Sequence, residues 1–456
     1  MSLWTSSAIA AATGGAASAG FAVSGVAYDS REVGPGDLFI ALKGEHTDGH
    51  RFVPQAFAQG AAGVIVSQPV DGPHVLVADT AAALNALGVA SRARTAAEIV
   101  GVTGSVGKTG VKEALYAAFD RAAPGRAHRS LKSYNNHVGV PLSLARMPQD
   151  ARFGVFEMGM NHAGELDRLT RLVRPHVALV TAIAPAHSAF FSGEEAIADA
   201  KGEIFRGLEP GGTAILPFDS PHRDRLLAAA RPYAANILTF GRGQGADVRA
   251  TEAIRGQGGT LVNATLPGGQ LTFTIGMPGE HWVSNALAVL AAVEAAGGDL
   301  AAAGLALAEM NGLPGRGRRL IISISGGEAL LIDEAYNANP ASMAATIREL
   351  GHEKAARRIV LLGEMRELGE GSADFHRALA RPIGQAGVGI ALLVGEGMTP
   401  LAESLAGECQ VEHVADAATA KARLAELLRP GDAVLVKGSN AIGLGRVVEA
   451  LAGEIV

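Results

Sequence analysis

The segment Ile99–Gly110, IVGVTGSVGKTG, concentrates the residue types best suited to chemistry. An apolar strand (Ile99, Val100, Val102) runs into Thr103-Gly104-Ser105-Val106-Gly107-Lys108-Thr109. Beyond it Val111, Ala114, Leu115, Ala118 and Phe119 recur at helical spacing. A glycine-rich turn between strand and helix leaves backbone N–H groups free to surround phosphate oxygens, and the helix N-terminus adds positive potential. Lys108 supplies a mobile cation for the β- and γ-phosphates, and the Thr109 hydroxyl can sit on Mg²⁺. The strict pattern G-x-x-x-x-G-K-[ST] asks for a glycine where Val102 stands, so this is a shorter variant. The strand–loop–helix context makes Gly104 to Gly110 a nucleotide site.

Three further residues follow the loop. Glu157 ends the apolar run Phe153–Phe156, and ligands of a parallel sheet gather at the carboxyl ends of its strands. A carboxylate there is placed to hold Mg²⁺ next to Thr109. His187 lies just past the run Val177–Ile183; by position alone it reads equally well as an ordinary loop residue. Lys201, in Asp199-Ala200-Lys201-Gly202-Glu203-Ile204-Phe205, is expected to begin an amphipathic helix. A helix N-terminus is a poor place for a cation, which makes this lysine odd.

The elements that must position these groups follow from length and pattern. The chain has 456 residues, enough for about three domains, each with its own core. Hydrophobic residues make up 48% and charged residues 18%, the balance of a soluble globular protein. The net charge is −6, from 39 basic and 45 acidic residues, with no dense Lys/Arg run, so nucleic acid is not an expected partner. A single cysteine, Cys409, excludes an internal disulfide, fits a reducing cytoplasm and shows no metal spacing. Residues 1–28 carry no Lys or Arg, unlike a secretory signal, and the apolar stretch Ala286–Ala296 is too short to span a membrane. A cytoplasmic protein without a membrane span is expected.

Three units are predicted: 1–97, 98–313 and 314–456. The first is a small α/β unit with strands Leu38–Leu42 and Gly63–Val66, a helical start at Pro54–Gln59, and a helical stretch Ser91–Glu98. The second alternates strands (Phe153–Phe156, Val177–Ile183, Ala214–Leu216) with helices, which favours a mostly parallel sheet. Asp247–Gly276 departs from this, its β-alternation (Leu271, Phe273, Ile275) reading as a hairpin insert at one edge before the helix Ser284–Ala296. Asn311-Gly312-Leu313-Pro314-Gly315 has linker chemistry. In the third unit, strands Ala329–Ile332, Ile359–Leu362, Ala391–Val394 and Ala433–Val436 alternate with helices around Ser342–Leu350, Ala373–Ala380 and Ala417–Leu428. The unit is Rossmann-like but lacks G-x-G-x-x-G after its first strand, so NAD is not expected.

With the loop, Glu157, His187 and Lys201 in place, other motifs fall into one order: Tyr28-Asp29-Ser30-Arg31, Gly36–Gly44, Asp48-Gly49-His50, Asn135-Asn136-His137, Ala200–Phe205, Pro314-Gly315-Arg316, Asp333–Pro340, Leu362–Gly369 and Lys437-Gly438-Ser439. In these motifs, over nearly its whole length, the chain resembles the ATP-dependent Mur ligases. The resemblance implies three domains: an N-terminal domain for a UDP-linked substrate, a central P-loop ATPase domain and a C-terminal Rossmann-like domain. It also implies amide-bond formation with ATP and two Mg²⁺ ions. By resemblance Thr109 and Glu157 hold the metal at the ATP phosphates, and Lys201, carbamylated by CO₂, holds a second Mg²⁺ with His187. Asn285 is then on the adenine side, and Arg316 and Asp333 reach the nucleotide. Ser30, Arg31, Lys43 and Asp48 belong to the UDP portion, Asn135 and Asn136 to the growing peptide. Tyr336, Asn337 and Asn339 face the incoming dipeptide and ATP from the third domain; Asn337–Pro340 also reads as a helix cap.

The member of the family implied adds D-alanyl-D-alanine to UDP-N-acetylmuramoyl-tripeptide through an acyl phosphate, in peptidoglycan precursor synthesis, and is expected to be monomeric. A ligase that adds the third amino acid, or a folyl-polyglutamate type synthetase, is the nearest alternative. The D-N-P-R signature of the diaminopimelate-adding enzyme is absent. A nucleotide-dependent switch would call for N-K-x-D, which is also absent. Two departures stand out. Gly110 replaces a second hydroxyl residue after the loop, so weaker phosphate contact is expected, and Asn440 stands where an arginine is common.

Overall fold

Five of the six residues of the strand Glu98–Thr103 are buried, and a strand covered on both faces is best served by parallel neighbours with helices packed above and below. It pairs in parallel with Phe153–Glu157 on one side and Val177–Val180 on the other. The register sets Val102 opposite Glu157 and Thr103 opposite Val180. The phosphate loop, Glu157 and the segment after Val180 therefore leave the sheet together at its carboxyl edge. A computed structural model describes residues 2–44, 47–185, 191, 193–256 and 259–453.

Nine strands make up this central sheet, in the order Gly269–Ile275, Gly259–Leu266, Val248–Gly256, Asn236–Gly241, Thr213–Pro217, Val177–Val180, Glu98–Thr103, Phe153–Glu157 and Ala127–Arg129. The region expected to be a hairpin insert is a three-stranded antiparallel meander that extends the main sheet. The helix Lys108–Ala122 lays Val111, Ala114, Leu115, Ala118 and Phe119 on the sheet. Phe119 stacks on Phe153 with ring centroids 4.3 Å apart. A fully buried Val, Leu or Phe side chain contributes ~1.5–3 kcal/mol before the cost of ordering. The helix Glu280–Ala295 is buried around most of its circumference, packed between the Lys108–Ala122 helix and the sheet.

Besides the short pair Trp4–Thr5 with Ala22–Val23, two smaller sheets flank this one. The N-terminal sheet runs Ala16–Ala17, His74–Leu76, Gly63–Val66, Asp37–Ile40, Gly25–Ala27. The C-terminal sheet runs Arg318–Ile324, Gly327–Glu334, Asp432–Lys437, Arg357–Gly363, Ile390–Val394, Gln410–Val414, parallel except for its first pair. The fold is thus α/β with mostly parallel sheets, as the alternating pattern predicts. Arg318–Ile324 is a strand the pattern does not reveal, since on this open edge four of its seven positions are half-buried, two exposed and only Ile322 buried. The helical stretch expected at Ser91–Glu98 is displaced: the helix is Thr80–Ala93, capped by the Asp79 carboxylate on Ala81 and Ala82 N–H. Lys201 does not begin a helix. It lies in the last turn of Glu194–Gly202, where the C-terminal dipole favours a cation, and its oddness comes from burial instead. No described helix is long and apolar enough to cross a membrane.

Candidate active site

The phosphate loop is held by contacts that need glycine. Gly104 has φ +147° and Gly107 φ +87°, both outside the range L side chains adopt easily. A Cβ on Gly104 would lie 2.0 Å from the Thr181 hydroxyl, and one on Gly107 2.8 Å from the Asn285 amide oxygen. Thr181 donates to the Val106 carbonyl at 2.5 Å, tying the loop to the end of the neighbouring strand. Lys108 Nζ folds back onto the Gly104 carbonyl at 2.7 Å. Burial pushes its ammonium below the ordinary lysine value, Glu157 opposing and Arg316 adding to the shift.

Thr109 and Glu157 meet as their motifs imply. The Thr109 hydroxyl donates to Glu157 Oε2 at 2.8 Å, and Asn135 Nδ2 donates to Oε1 at 2.8 Å. Glu157 is 1% exposed. Lys201 is also 1% exposed, and among the described residues its Nζ has no hydrogen-bond partner. Burial, then the nearby Lys108 charge, hold its pKa well below that of an ordinary lysine. His187 lies outside the described residues.

These groups line one cavity of about 560 Å³ that runs from the phosphate loop to the third unit. Arg316 crosses it: its guanidinium lies 4.2 Å over the Tyr336 ring and donates to Ser133 Oγ at 3.2 Å. Tyr336, Asn337 and Asn339 also line it. Lys437 Nζ donates to the Asn337 carbonyl at 2.9 Å and to Glu334 at 3.3 Å, fixing that segment. Asn339 is both wall and cap. Its side chain accepts from Ser342 N–H at 2.9 Å, and Ser342 Oγ accepts from Asn339 N–H at 3.1 Å, a capping box on the helix Pro340–Gly351.

Other residues singled out by sequence stand apart from the lining. Asp333 braces the linker, accepting from Gly315 N–H at 2.6 Å and Ala335 N–H at 3.1 Å, with burial raising its pKa. Asn136 caps the helix Gly139–Ala145 through Val138 and Gly139 N–H. Ser30 bonds Gln55 at 3.2 Å, and Arg31 pairs with Asp29 in the open, its side chain 82% exposed. Lys43 and Asp48 face each other in an isolated bridge, and Asp48 is 2.6 Å from His50 Nδ1. Gly110, which does line the cavity, has a steric reason: a Cβ there would come within 2.9 Å of the Trp282 ring. Ser133, Thr181 and Lys112 were missed by sequence reading. Lys112 carried a signal, a cation amid the apolar positions of its helix.

The donors fit a nucleotide with its metal. Positive-φ glycines open the loop's amides to phosphate, while one carboxylate and one hydroxyl suit Mg²⁺, which keeps waters and takes its remaining ligands from phosphate. Among the described residues no three His, Cys, Asp or Glu side chains form a metal cluster of their own. A phosphate loop opening onto a cavity shared with a second sheet domain defines a P-loop enzyme that works on a nucleotide between domains.

Residues 22–116 match the Mur ligase family catalytic domain, 102–293 the Mur ligase middle domain, and 317–440 the Mur ligase glutamate ligase domain. The chain is 35% identical over 439 residues to the UDP-N-acetylmuramoyl-tripeptide–D-alanyl-D-alanine ligase of Escherichia coli K12, covering 93% of each. A crystal structure of MurF from Acinetobacter baumannii superposes with a TM-score of 0.85 at 31% identity, over 99% of both chains. The MurF ligase of Thermotoga maritima in complex with ADP gives 0.76 at 26% identity, over 94% of this chain and 97% of that one. The chain belongs to the Mur ligase family.

Proposed function

We propose that this chain joins D-alanyl-D-alanine to UDP-N-acetylmuramoyl-tripeptide, converting ATP to ADP and phosphate. Kinship with dipeptide-adding ligases across nearly the whole chain carries this reading, and the cavity between phosphate loop and third unit supports it. Units 1–97, 98–313 and 314–456 then take the UDP substrate, the ATP and the dipeptide respectively, in the cytoplasm where these precursors are made.

A substrate carboxylate attacks the γ-phosphorus of ATP; the bond to the bridging oxygen breaks and ADP leaves. The dipeptide amine then attacks the acyl carbon, phosphate departs, and one proton is lost from nitrogen. Bringing a carboxylate to a triphosphate is the electrostatic obstacle. Magnesium, when bound, offsets this negative charge at the phosphates. Lys108 swings from the Gly104 carbonyl to the β- and γ-phosphates, and Thr109 and Glu157 are the residues that would hold the metal. Arg316 approaches from the linker side. His187 is proposed to act with Lys201, and Asn285 to face the adenine. Ser30, Arg31, Lys43 and Asp48 serve the UDP end, and Asn135 the peptide.

Lys201 is suited to carbamylation. A lysine held below its ordinary pKa presents a free amine, whose lone pair forms an N–C bond to CO₂ while a proton leaves to solvent. The product is an anion where a cation would be poorly solvated, and its oxygens would help hold a second Mg²⁺.

The test is phosphate release with Mg²⁺-ATP and UDP-N-acetylmuramoyl-tripeptide, with and without D-alanyl-D-alanine, following the product by mass. The expected product is heavier by one dehydrated dipeptide, and its formation depends on the dipeptide. Turnover with a single amino acid but not with the dipeptide would overturn the choice of acceptor.

A further inference from the structure

One turn past Lys108, the same helix buries a second lysine. Lys112 is 0% exposed, yet its ammonium donates to the Ser130 carbonyl at 2.9 Å and the Lys132 carbonyl at 2.6 Å, and pairs with the Glu113 carboxylate at 2.9 Å. Two hydrogen bonds and one ion pair are what make burying this charge tolerable. Glu113 is held in turn by Arg129 at 2.8 Å. The two carbonyls belong to the segment 130–136, whose backbone turns sharply at Lys132, φ +49°.

That segment touches all three units. Ser133 Oγ lies 3.4 Å from the Thr109 hydroxyl and accepts from Arg316 of the linker. Asn135 donates to Glu157, and Ser130 Oγ accepts from Glu157 N–H at 3.3 Å. Toward the N-terminal unit, Tyr134 Oη donates to Glu32 at 2.7 Å and Lys132 Nζ pairs with the same carboxylate. Ser133 and Asn135 thus flank the two side chains assigned to the metal, and their backbone is pinned from beneath by Lys112.

We propose that Lys112 is a positioning residue for the Mg²⁺-nucleotide site, acting through the 130–132 backbone on Ser133 and Asn135 and so on Thr109 and Glu157. The proposal rests on the assignment of that pair to the metal. A lysine buried only for the stability of the helix would satisfy its ammonium equally well but would leave metal-dependent nucleotide binding untouched when replaced.

Calorimetric titration with ADP, with Mg²⁺ and with a chelator, separates the two. The readout is the ratio of affinities, the gain in binding that Mg²⁺ brings. Groups that orient metal ligands typically change metal affinity or activity by roughly 10–100-fold. Lys112→Met is expected to reduce the Mg²⁺-dependent gain by about tenfold or more. Leu115→Ala, a core truncation on the same helix, is expected to lower Tm while keeping the gain. Ser133→Ala is expected to reproduce the loss with little change in Tm, and to add little when combined with Lys112→Met. Ser133→Ala therefore carries the test even if Lys112→Met does not fold. Unchanged gain in Ser133→Ala, or a Lys112→Met profile matching Leu115→Ala, would overturn the proposal. Wild-type Mg²⁺-ADP binding without dipeptide-dependent turnover would overturn the ligase reading alone.

Discussion

Lys201 and Lys108 are two lysines in one poorly hydrated site, and each side chain answers differently. Lys108 has the Gly104 carbonyl to bond, whereas the Lys201 amine has no hydrogen-bond partner among the described residues. An uncompensated buried ammonium is costly, so the neutral amine is favoured, in keeping with the downward direction of its pKa. With ¹³C-labelled bicarbonate, wild-type protein is expected to show a bound carbamate resonance by NMR, and Lys201→Arg none. A wild-type spectrum identical to that of Lys201→Arg would remove the carbamate from the site.

At the scale of elements, the phosphate loop works because the strand before it and the strand beside it fix both of its ends. Gly104→Ala forces a Cβ toward Thr181 in a backbone conformation that alanine resists. It is expected to lower stability by at least ~1–3 kcal/mol and to weaken nucleotide binding. Thermal melts and titration of the same variant check both effects; an unchanged Tm would mean that the loop relaxes freely. The edge strand Ala127–Arg129 carries His128, whose Nε2 lies 2.7 Å from the Ser143 carbonyl. Burial holds its pKa down to about 4 from 6.5, with Arg129 and Arg146 acting in the same direction. The unfolded chain therefore takes up the proton first, and this residue's contribution to stability is lost as pH falls from 6.5 toward 4. His128→Gln is expected to flatten the fall of Tm across that window. An equally steep fall in the variant would assign the acid sensitivity elsewhere.

For the whole molecule, two polar contacts between the third unit and the central one stand out among the described residues. Arg316 reaches Ser133, and Arg255 on the central meander pairs with Glu349 on the helix Pro340–Gly351 at 3.0 Å. An ion pair whose arginine is half-exposed is worth little, ~0–1 kcal/mol, so this pair by itself holds the two units together only weakly. Nucleotide bridging the phosphate loop and Arg316 should favour the closed form. Small-angle scattering is expected to show a smaller radius of gyration with Mg²⁺-ADP than without, and Arg316→Ala to lessen the difference. Identical curves for the wild-type chain in both states would rule out closure.

The phosphate loop, Glu157 and the parallel central sheet were legible in sequence because each rests on local pattern: glycines at a strand–helix junction, and apolar runs of strand length. The order of the motifs along the chain sufficed to indicate the family. Neither kind of signal reports what a side chain meets across the fold. The sequence alone could not show that Lys201 ends its helix rather than beginning it, that Gly110 makes room for Trp282, or that Asp333 braces the linker instead of lining the cavity. Nor could it show that Lys112 spends its charge on carbonyls 18 and 20 residues away. Local pattern sets which elements form. Burial and partners, which decide what a charged group does, exist only once those elements pack.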